Sequence, residues 1–318
     1  MVNPASHVPV LLDRVLELLQ PALARDGAVV LDATLGLGGH SEAMLRAHPG
    51  LRLVGLDRDP AALELSATRL APFSDRIDLV HAVYDDLGEA LEELQIGAVA
   101  AILFDLGVSS MQLDQADRGF AYAQDAPLDM RMDQSSGITA QHVIDTYSLQ
   151  ELTRIIGAYG EERFARRVAS AIITRRERGP LTSSRELAEI VRTAIPAATR
   201  KTGGHPAKRT FQALRIEVNT ELTVLERAIP EALGRLAVGG RMVVLSYHSL
   251  EDRIVKRAIT NLATDHTPLD LPFMLESASP QVVTLVRGAH KATRAEIDIN
   301  PRSASVRLRA VERIREAA

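Results

Sequence analysis

Within its first 107 residues the chain alternates apolar runs with amphipathic ones, and that rhythm leaves it few ways to fold. "AVVLDAT" (28–34), "LRLVGLD" (51–57), "IDLVHAVY" (77–84) and "VAAILFDLG" (99–107) read as strands; "HSEAMLRAH" (40–48), "PAALELSATRL" (60–70) and "DDLGEALEEL" (85–94) have helical spacing. Strands apolar on both faces need helices on both faces, so the pattern predicts an α/β fold built on a doubly wound parallel sheet. Ligands of such sheets bind at the carboxyl ends of the strands. With 318 residues and 46% apolar content, one large domain or a domain with an insertion is expected. The chain has no Cys, which excludes disulfides, thiolate metal sites and a cysteine nucleophile. It shows no apolar run of about 18 residues and no basic-then-apolar N-terminus. A cytoplasmic protein without membrane association is therefore expected. No metal-ligand spacing is visible among the nine His, and no metal is expected.

The strand ends carry the chemistry. "LDATLGLGGH" (31–40) follows the first strand, and Gly36, Gly38 and Gly39 permit a tight turn and close backbone approach to a ligand at a helix N-terminus. Asp57 ends the second strand, 19 residues after Gly38, where a carboxylate can accept both hydroxyl hydrogens of a ribose. A glycine turn and an N-cap Asp explain these features separately; a bound nucleoside explains them together. Asp32 closes the strand just before the turn and Asp105 ends the fourth strand. Negative charge there disfavours a diphosphate and favours a cationic group, so S-adenosylmethionine, with its ribose, ammonium and sulfonium, fits better than NAD.

Charge is distributed unevenly. Residues 151–216 hold 14 Lys or Arg against six Glu and no Asp, a surplus of +8 in a chain whose net charge is -4. Clustered Arg without compensating acid is expected where phosphates are met; the bland alternative is a solvated helical face. The segment is helical in pattern: "LQELTRIIGAYG" (149–160), "ERFARRVASAIITRRER" (162–178), "SSRELAEIVRTAI" (183–195) and "RTFQALRIEVNTELTVLERAI" (209–229). The predicted organisation is a sheet domain in two parts, 1–136 and 219–318, interrupted by a basic helical subdomain at 137–218. Before the insertion, residues 105–133 contain six Asp, two Arg and no Lys. So acidic a passage is a poor phosphate surface; directly after a strand end it is expected to line the reaction pocket.

Several segments resemble a known family. "HVPVLL" (7–12), "DATLGLGGHS" (32–41), "DLGVSSMQLD" (105–114), "RGFAY" (118–122), "PLDMRMD" (127–133), "YGEERFARR" (159–167), "HPAKRTFQALRIEVN" (205–219), "GGRMVVLSYHSLEDRIVK" (239–256) and "NPRSASVRLR" (300–309) are, in order, similar to motifs of the bacterial 16S ribosomal RNA cytosine-N4 methyltransferases, the MraW or RsmH family. The resemblance implies a Rossmann-like methyltransferase sheet with an inserted all-helical subdomain. It also implies S-adenosylmethionine as cofactor, a cytidine N4 amine in the decoding region of 16S rRNA as target, and the small ribosomal subunit as partner. A homodimer stays open. Carried over, the cofactor residues would be Gly38, Gly39, His40, Asp57, Tyr84 at the adenine, Asp105 and Gln112, with Arg118 and Phe120 packing the cap. Arg166, Arg167, Arg175, Arg176 and Arg178, with Lys208 and Arg209 in "TRKTGGHPAKR" (199–209), become candidates for the RNA backbone. Lys208, Tyr247 and Ala304 depart from the family pattern; Ala304 removes one possible phosphate contact.

The chemistry agrees. Carbon-5 methylation of a pyrimidine requires a Cys nucleophile that this chain lacks. An exocyclic amine instead attacks the methyl directly and needs alignment and hydrogen-bond acceptors. Asp105, with backbone carbonyls of 106–108, is the expected acceptor. Ser246, Tyr247 and His248, at a further strand end, could stack on or bond to a flipped cytosine. His248 could equally cap the next helix, where Ser249 and Asp252 suggest a capping box. A nicotinamide dehydrogenase and a non-catalytic RNA-binding factor remain the competing readings.

Overall fold

Each apolar run of the first 107 residues contains a strand in the computed structural model, which describes residues 8–122, 125–199, 205–268, 270 and 275–316. In chain order, α1 (Leu12–Leu23), β1 (Val29–Asp32), α2 (Gly39–Ala47), β2 (Arg52–Asp57), α3 (Pro60–Leu70), β3 (Ile77–His81), α4 (Leu87–Glu93) and β4 (Val99–Asp105) come first. Then follow six helices, α5 (Ser110–Asp114), α6 (Ala140–Thr146), α7 (Leu149–Ala158), α8 (Ala165–Arg176), α9 (Ser184–Ala194) and α10 (Lys208–Asn219). The chain ends with α11 (Glu221–Arg235), β5 (Leu236–Ser246), α12 (Ser249–Ala263), β6 (Val282–Thr284), α13 (Arg294–Ile299) and β7 (Arg307–Arg313). Two compact units result: Met1–Gly107 with Leu222–Ala318, and Val108–Glu221.

The first unit is a seven-stranded sheet of order β3-β2-β1-β4-β5-β7-β6. The first five strands in that order are parallel; β7 runs antiparallel to β5 and to β6. This is the expected doubly wound, Rossmann-like α/β class. Alternate residues of each strand feed opposite cores. Leu31, Val54, Ile102, Phe104 and Val244 pack with Leu225, Ile229 and Val255 of α11 and α12. Val30, Leu53, Leu103, Val243 and Leu245 pack with Leu19, Met44 and Leu70 of α1, α2 and α3. The chain reverses its direction of winding between β1 and β4, and the carboxyl ends of β1, β2, β4 and β5 share one edge, where such folds bind ligands.

Two expected elements shift their bounds. The third strand ends at His81, and Tyr84 opens a 3-10 turn (Tyr84–Asp86) closed by the Asp86 N–H donating to the Val83 carbonyl at 2.9 Å. The helix expected over 209–229 is two, separated by Thr220 at a left-handed φ of 51°. Asn219 is diverted there: its side chain donates to the Met130 and Arg215 carbonyls (2.7 and 2.9 Å) and accepts the Met132 N–H (2.8 Å). Those bonds hold residues 130–132 on the helical unit, so the acidic passage from residue 108 onward lies with the helices and not with the sheet.

Within Val108–Glu221, α6 to α10 surround one apolar core, and Phe120, Leu128, Met130 and Met132 of the acidic passage are buried in it. Arg118, 3% exposed, donates to the Arg131 and Met132 carbonyls at 3.2 and 2.7 Å. These four apolar side chains of the passage help build the helical core. Gln112 closes a capping box with Ser109 on α5, its side-chain oxygen accepting the Ser109 N–H at 3.0 Å.

Candidate active site

Three carboxylates end adjacent parallel strands, and each is held differently. Asp32, at the end of β1, is 2% exposed. It accepts the Ser41 hydroxyl at 2.6 Å and the Thr34 N–H at 3.2 Å. Burial raises its pKa against the lowering effect of the Ser41 bond and the nearby His40. So buried a carboxylate braces the turn, and offers a ligand its charge more than its contact.

Asp57, at the end of β2, accepts the Gly36 N–H at 2.7 Å on one oxygen and the Asp59 N–H at 2.8 Å on the other. A carboxylate has about four acceptor sites, so each oxygen keeps one for a ligand hydroxyl. Burial pushes its pKa up to about 6, with the two backbone bonds pulling the other way. Between these strands the glycine turn is built as the sequence suggested. Gly36 and Gly38 lie at φ of 53° and 71°, and Gly38 caps α2 without a side chain, leaving helix N-terminal amides open to a ligand. Gly39 is small for another reason: a Cβ there would meet Pro9 Cγ at 2.6 Å.

Asp105, at the end of β4, joins residues from three elements. The Tyr247 hydroxyl donates to Oδ1 at 2.6 Å, and His40 Nδ1 lies 3.8 Å from Oδ2. His40, 6% exposed, uses Nε2 on the Val10 carbonyl at 3.0 Å. A carbonyl only accepts, so Nε2 carries a proton and Nδ1 is the ring nitrogen turned to Asp105. The Asp105 N–H donates to Thr34 Oγ1 at 2.6 Å. Burial raises the Asp105 pKa, opposed by His40 and Tyr247, and burial beside Asp105 raises that of Tyr247 well above its ordinary value. Among the described residues no Lys or Arg pairs with Asp32, Asp57 or Asp105.

The end of β5 divides the three residues grouped there by sequence. Tyr247 commits its hydroxyl to Asp105. Ser246 is 1% exposed, and its Oγ has no hydrogen-bond partner among the described residues. His248 is the N-cap of α12: the Glu251 N–H approaches its Nδ1 at 3.5 Å, and Glu251 Oε2 accepts the Tyr247 and His248 N–H groups at 2.7 and 3.1 Å. The capping box therefore sits one residue earlier than Ser249 and Asp252. Asp252 instead pairs with Arg307 and Arg309 at 3.0 and 2.7 Å, which gives the "VRLR" motif a structural task. Tyr84 stands edge-on to Phe104, ring centroids 5.8 Å apart. Thr34, Ser41 and Glu251 were not singled out by sequence; His248 and Glu251 at cap spacing were the one available signal.

In the helical unit the basic candidates separate. Arg176 donates to the Ile144 and Tyr147 carbonyls at 2.6 and 2.8 Å. Arg175 bonds Glu186 at 2.5 Å and the Gly179 carbonyl at 3.0 Å. Both spend these bonds on the packing of the helical unit. Arg209 donates to the Glu161 carbonyl at 3.1 Å. Arg166, Arg167, Arg178 and Lys208 are exposed and have no ion-pair partner among the described residues. Arg200–Gly204, within the basic stretch 199–209, lie outside the described residues. Among the described residues no helix is long and apolar enough to cross a membrane.

A doubly wound sheet with a glycine turn after β1 and carboxylates ending β1, β2 and β4 has the Rossmann-like arrangement that binds a nucleoside at its strand ends, and the comparisons place the chain among methyltransferases. The family is narrower. Residues 4–314 match the MraW methylase family, and the chain belongs to it. It is 62% identical over 315 residues to the ribosomal RNA small subunit methyltransferase H of Thermobifida fusca (99% of this chain, 96% of that protein). Proteins of the same name from Saccharopolyspora erythraea and Streptomyces avermitilis are 63% and 58% identical, covering 98% and 100% of this chain and 94% and 100% of theirs. Among solved structures, a putative rRNA-methylase from Clostridium thermocellum is 12% identical, with a TM-score of 0.45 over 97% of this chain and 100% of that one. S-adenosylmethionine is the cofactor of this family.

Proposed function

We propose that the protein methylates the exocyclic N4 amine of a cytidine in the decoding region of 16S rRNA, acting on the small ribosomal subunit in the cytoplasm. The names of its relatives support small-subunit rRNA as substrate. One observation carries the choice of an amine: a partly buried carboxylate at the end of β4, fixed through one oxygen by Tyr247 and free of any Lys or Arg partner among the described residues. Such a group accepts a hydrogen bond from an amine and fits neither hydride transfer nor attack on carbon 5.

Bound across β1, β2 and β4, S-adenosylmethionine supplies an electrophilic methyl group on a sulfonium. Asp57 accepts its ribose hydroxyls through the two acceptor sites left by Gly36 and Asp59, and the Gly36–His40 turn brings main-chain amides close. Tyr84 lies beside the adenine, and the charge of Asp32 favours the ammonium. Asp105 accepts an N–H of the cytidine amine and aims its lone pair at the methyl. As N4 gains the methyl, the S–CH3 bond would break and leave the neutral thioether S-adenosylhomocysteine, and Asp105 would take the surplus proton from N4 and pass it to water. Its raised pKa suits that exchange, because a carboxyl poised nearer neutrality accepts a proton more readily. Tyr247 holds Asp105 in place, and Ser246 adds a buried hydroxyl at the neighbouring strand end. Arg166, Arg167, Arg178, Lys208 and Arg209 meet the RNA backbone.

Labelled methyl groups should pass from S-adenosylmethionine to small subunits from a strain lacking the enzyme. Calorimetry should show binding of S-adenosylmethionine and none of NADH. NADH binding, or cofactor binding without transfer to subunits, would overturn the reading.

A further inference from the structure

The helical unit carries a second planar site, with no role in the chemistry above. The rings of Tyr122 and His205, far apart in sequence, stack with centroids 4.7 Å apart and planes 14° from parallel. Phe211, 4% exposed, stands edge-on behind Tyr122 at 5.9 Å and 80°, which sets the tilt of the pair. Tyr122 and His205 are only partly buried. The Ala207 N–H donates to His205 Nδ1 at 3.2 Å, so in the neutral ring the proton sits on Nε2. That Nε2–H has no partner among the described residues. Lys208 begins α10 three residues on, exposed and without an ion-pair partner among the described residues. Residues 199–209 hold four Lys or Arg and no acid.

We propose that the Tyr122–His205 stack is a platform on which an unpaired nucleotide of the substrate rRNA lays its base, with Lys208 at the adjoining phosphate. The inference rests on the rRNA reading above and adds to it a contact surface outside the methyl-transfer site. A base in a duplex has both faces covered, so a π-platform selects single-stranded RNA, and it accepts any base because every base has a π-face. Lys208, exposed three residues from His205, supplies the positive charge that a phosphate beside the stacked base requires. The outward Nε2–H adds a donor for a base edge or a phosphate.

The test uses the full-length protein, with Tyr122→Leu, which keeps bulk against Phe211 but removes the π-face, and His205→Ala. Each should raise the KM for small subunits about tenfold, the usual scale for losing one stacked base, with kcat at saturation and S-adenosylmethionine affinity unchanged. The ring-preserving Tyr122→Phe and His205→Phe should stay within about threefold of the parent. Filter retention of subunits without S-adenosylmethionine should fall in parallel, and so should retention of a 16S rRNA fragment free of protein. Unchanged KM and retention in both disrupted variants would overturn the platform. So would ring-preserving variants as impaired as the disrupted ones, or weakened binding of subunits with unchanged binding of naked rRNA, which would mark a ribosomal-protein contact. Absence of methyl incorporation by the parent enzyme would instead overturn the methylation reading, because the retention assay needs no turnover.

Discussion

Asp57→Asn separates what the second strand end does for the fold from what it does for the cofactor. In the fold, both Asp57 oxygens accept backbone N–H groups, from Gly36 at 2.7 Å and Asp59 at 2.8 Å. Asparagine has one acceptor oxygen, so its NH2 must face one of those donors, at a cost of about 1–3 kcal/mol. Against this, the Asp57 pKa is pushed up from 3.8 to about 6, chiefly by burial, which corresponds to about 3 kcal/mol against the charged form at neutral pH. The amide carries no charge to desolvate, so the two effects nearly cancel and stability at pH 7 should change by less than about 2 kcal/mol. The sign with pH follows from the raised pKa. The folded state binds the Asp57 proton more tightly than the unfolded state, so this group's contribution declines as pH rises from about 4 to about 6 and is flat above. Asp32 and Asp105 shift in the same direction, and the difference between parent and variant isolates Asp57. The cofactor behaves otherwise: exchanging a charged ribose acceptor for a neutral one with a single lone-pair atom should weaken S-adenosylmethionine roughly 10- to 100-fold. Denaturant melts of the ligand-free protein from pH 4 to 8, with calorimetry at pH 7.5, read both quantities. Parent-like affinity in the variant would refute the ribose assignment, and parallel pH profiles would refute the burial argument.

Other substitutions probe the remaining parts. Asp105→Asn should reduce methyl transfer roughly 100-fold or more, the scale of a lost proton acceptor; a variant with full rate and full cofactor affinity would remove Asp105 from the chemistry. Gly39→Ala should cost about 1–3 kcal/mol in thermal unfolding, because the new Cβ meets Pro9 Cγ at 2.6 Å. Arg176→Ala should destabilise the protein by about 1–3 kcal/mol, since two helix-end carbonyls lose their donor. Replacing Arg166 and Arg167 together should leave the melt unchanged and flatten the salt dependence of rRNA binding, by about one unit of log-log slope per arginine that meets a phosphate.

Much of this arrangement was readable in advance, for identifiable reasons. Continuous apolar strands between amphipathic helices admit one packing, so the parallel sheet and the acids that end β1, β2 and β4 followed from periodicity alone. What periodicity could not show was where a polar side chain spends its hydrogen bonds. His248 and Glu251 have the spacing of a cap, yet the choice between cap and catalyst depended on Glu251 reaching two backbone N–H groups. Arg175 and Arg176 look like Arg166 and Arg167 in sequence, and only the nearby Glu186 and helix-end carbonyls distinguish them. The acidic passage shows the same limit: its charge was visible, but the Asn219 bonds that hold residues 130–132 on the helical unit span nearly 90 residues.

One atom decides the reaction, the N4 nitrogen of a cytidine. Small subunits from a strain lacking the enzyme, incubated with it and labelled S-adenosylmethionine and then digested to nucleosides, can be read by mass spectrometry. Label should appear in N4-methylcytidine within 16S rRNA, and fall roughly 100-fold or more when Asp105→Asn replaces the parent. Label in 5-methylcytidine, in another base or on a ribose would contradict the N4 assignment.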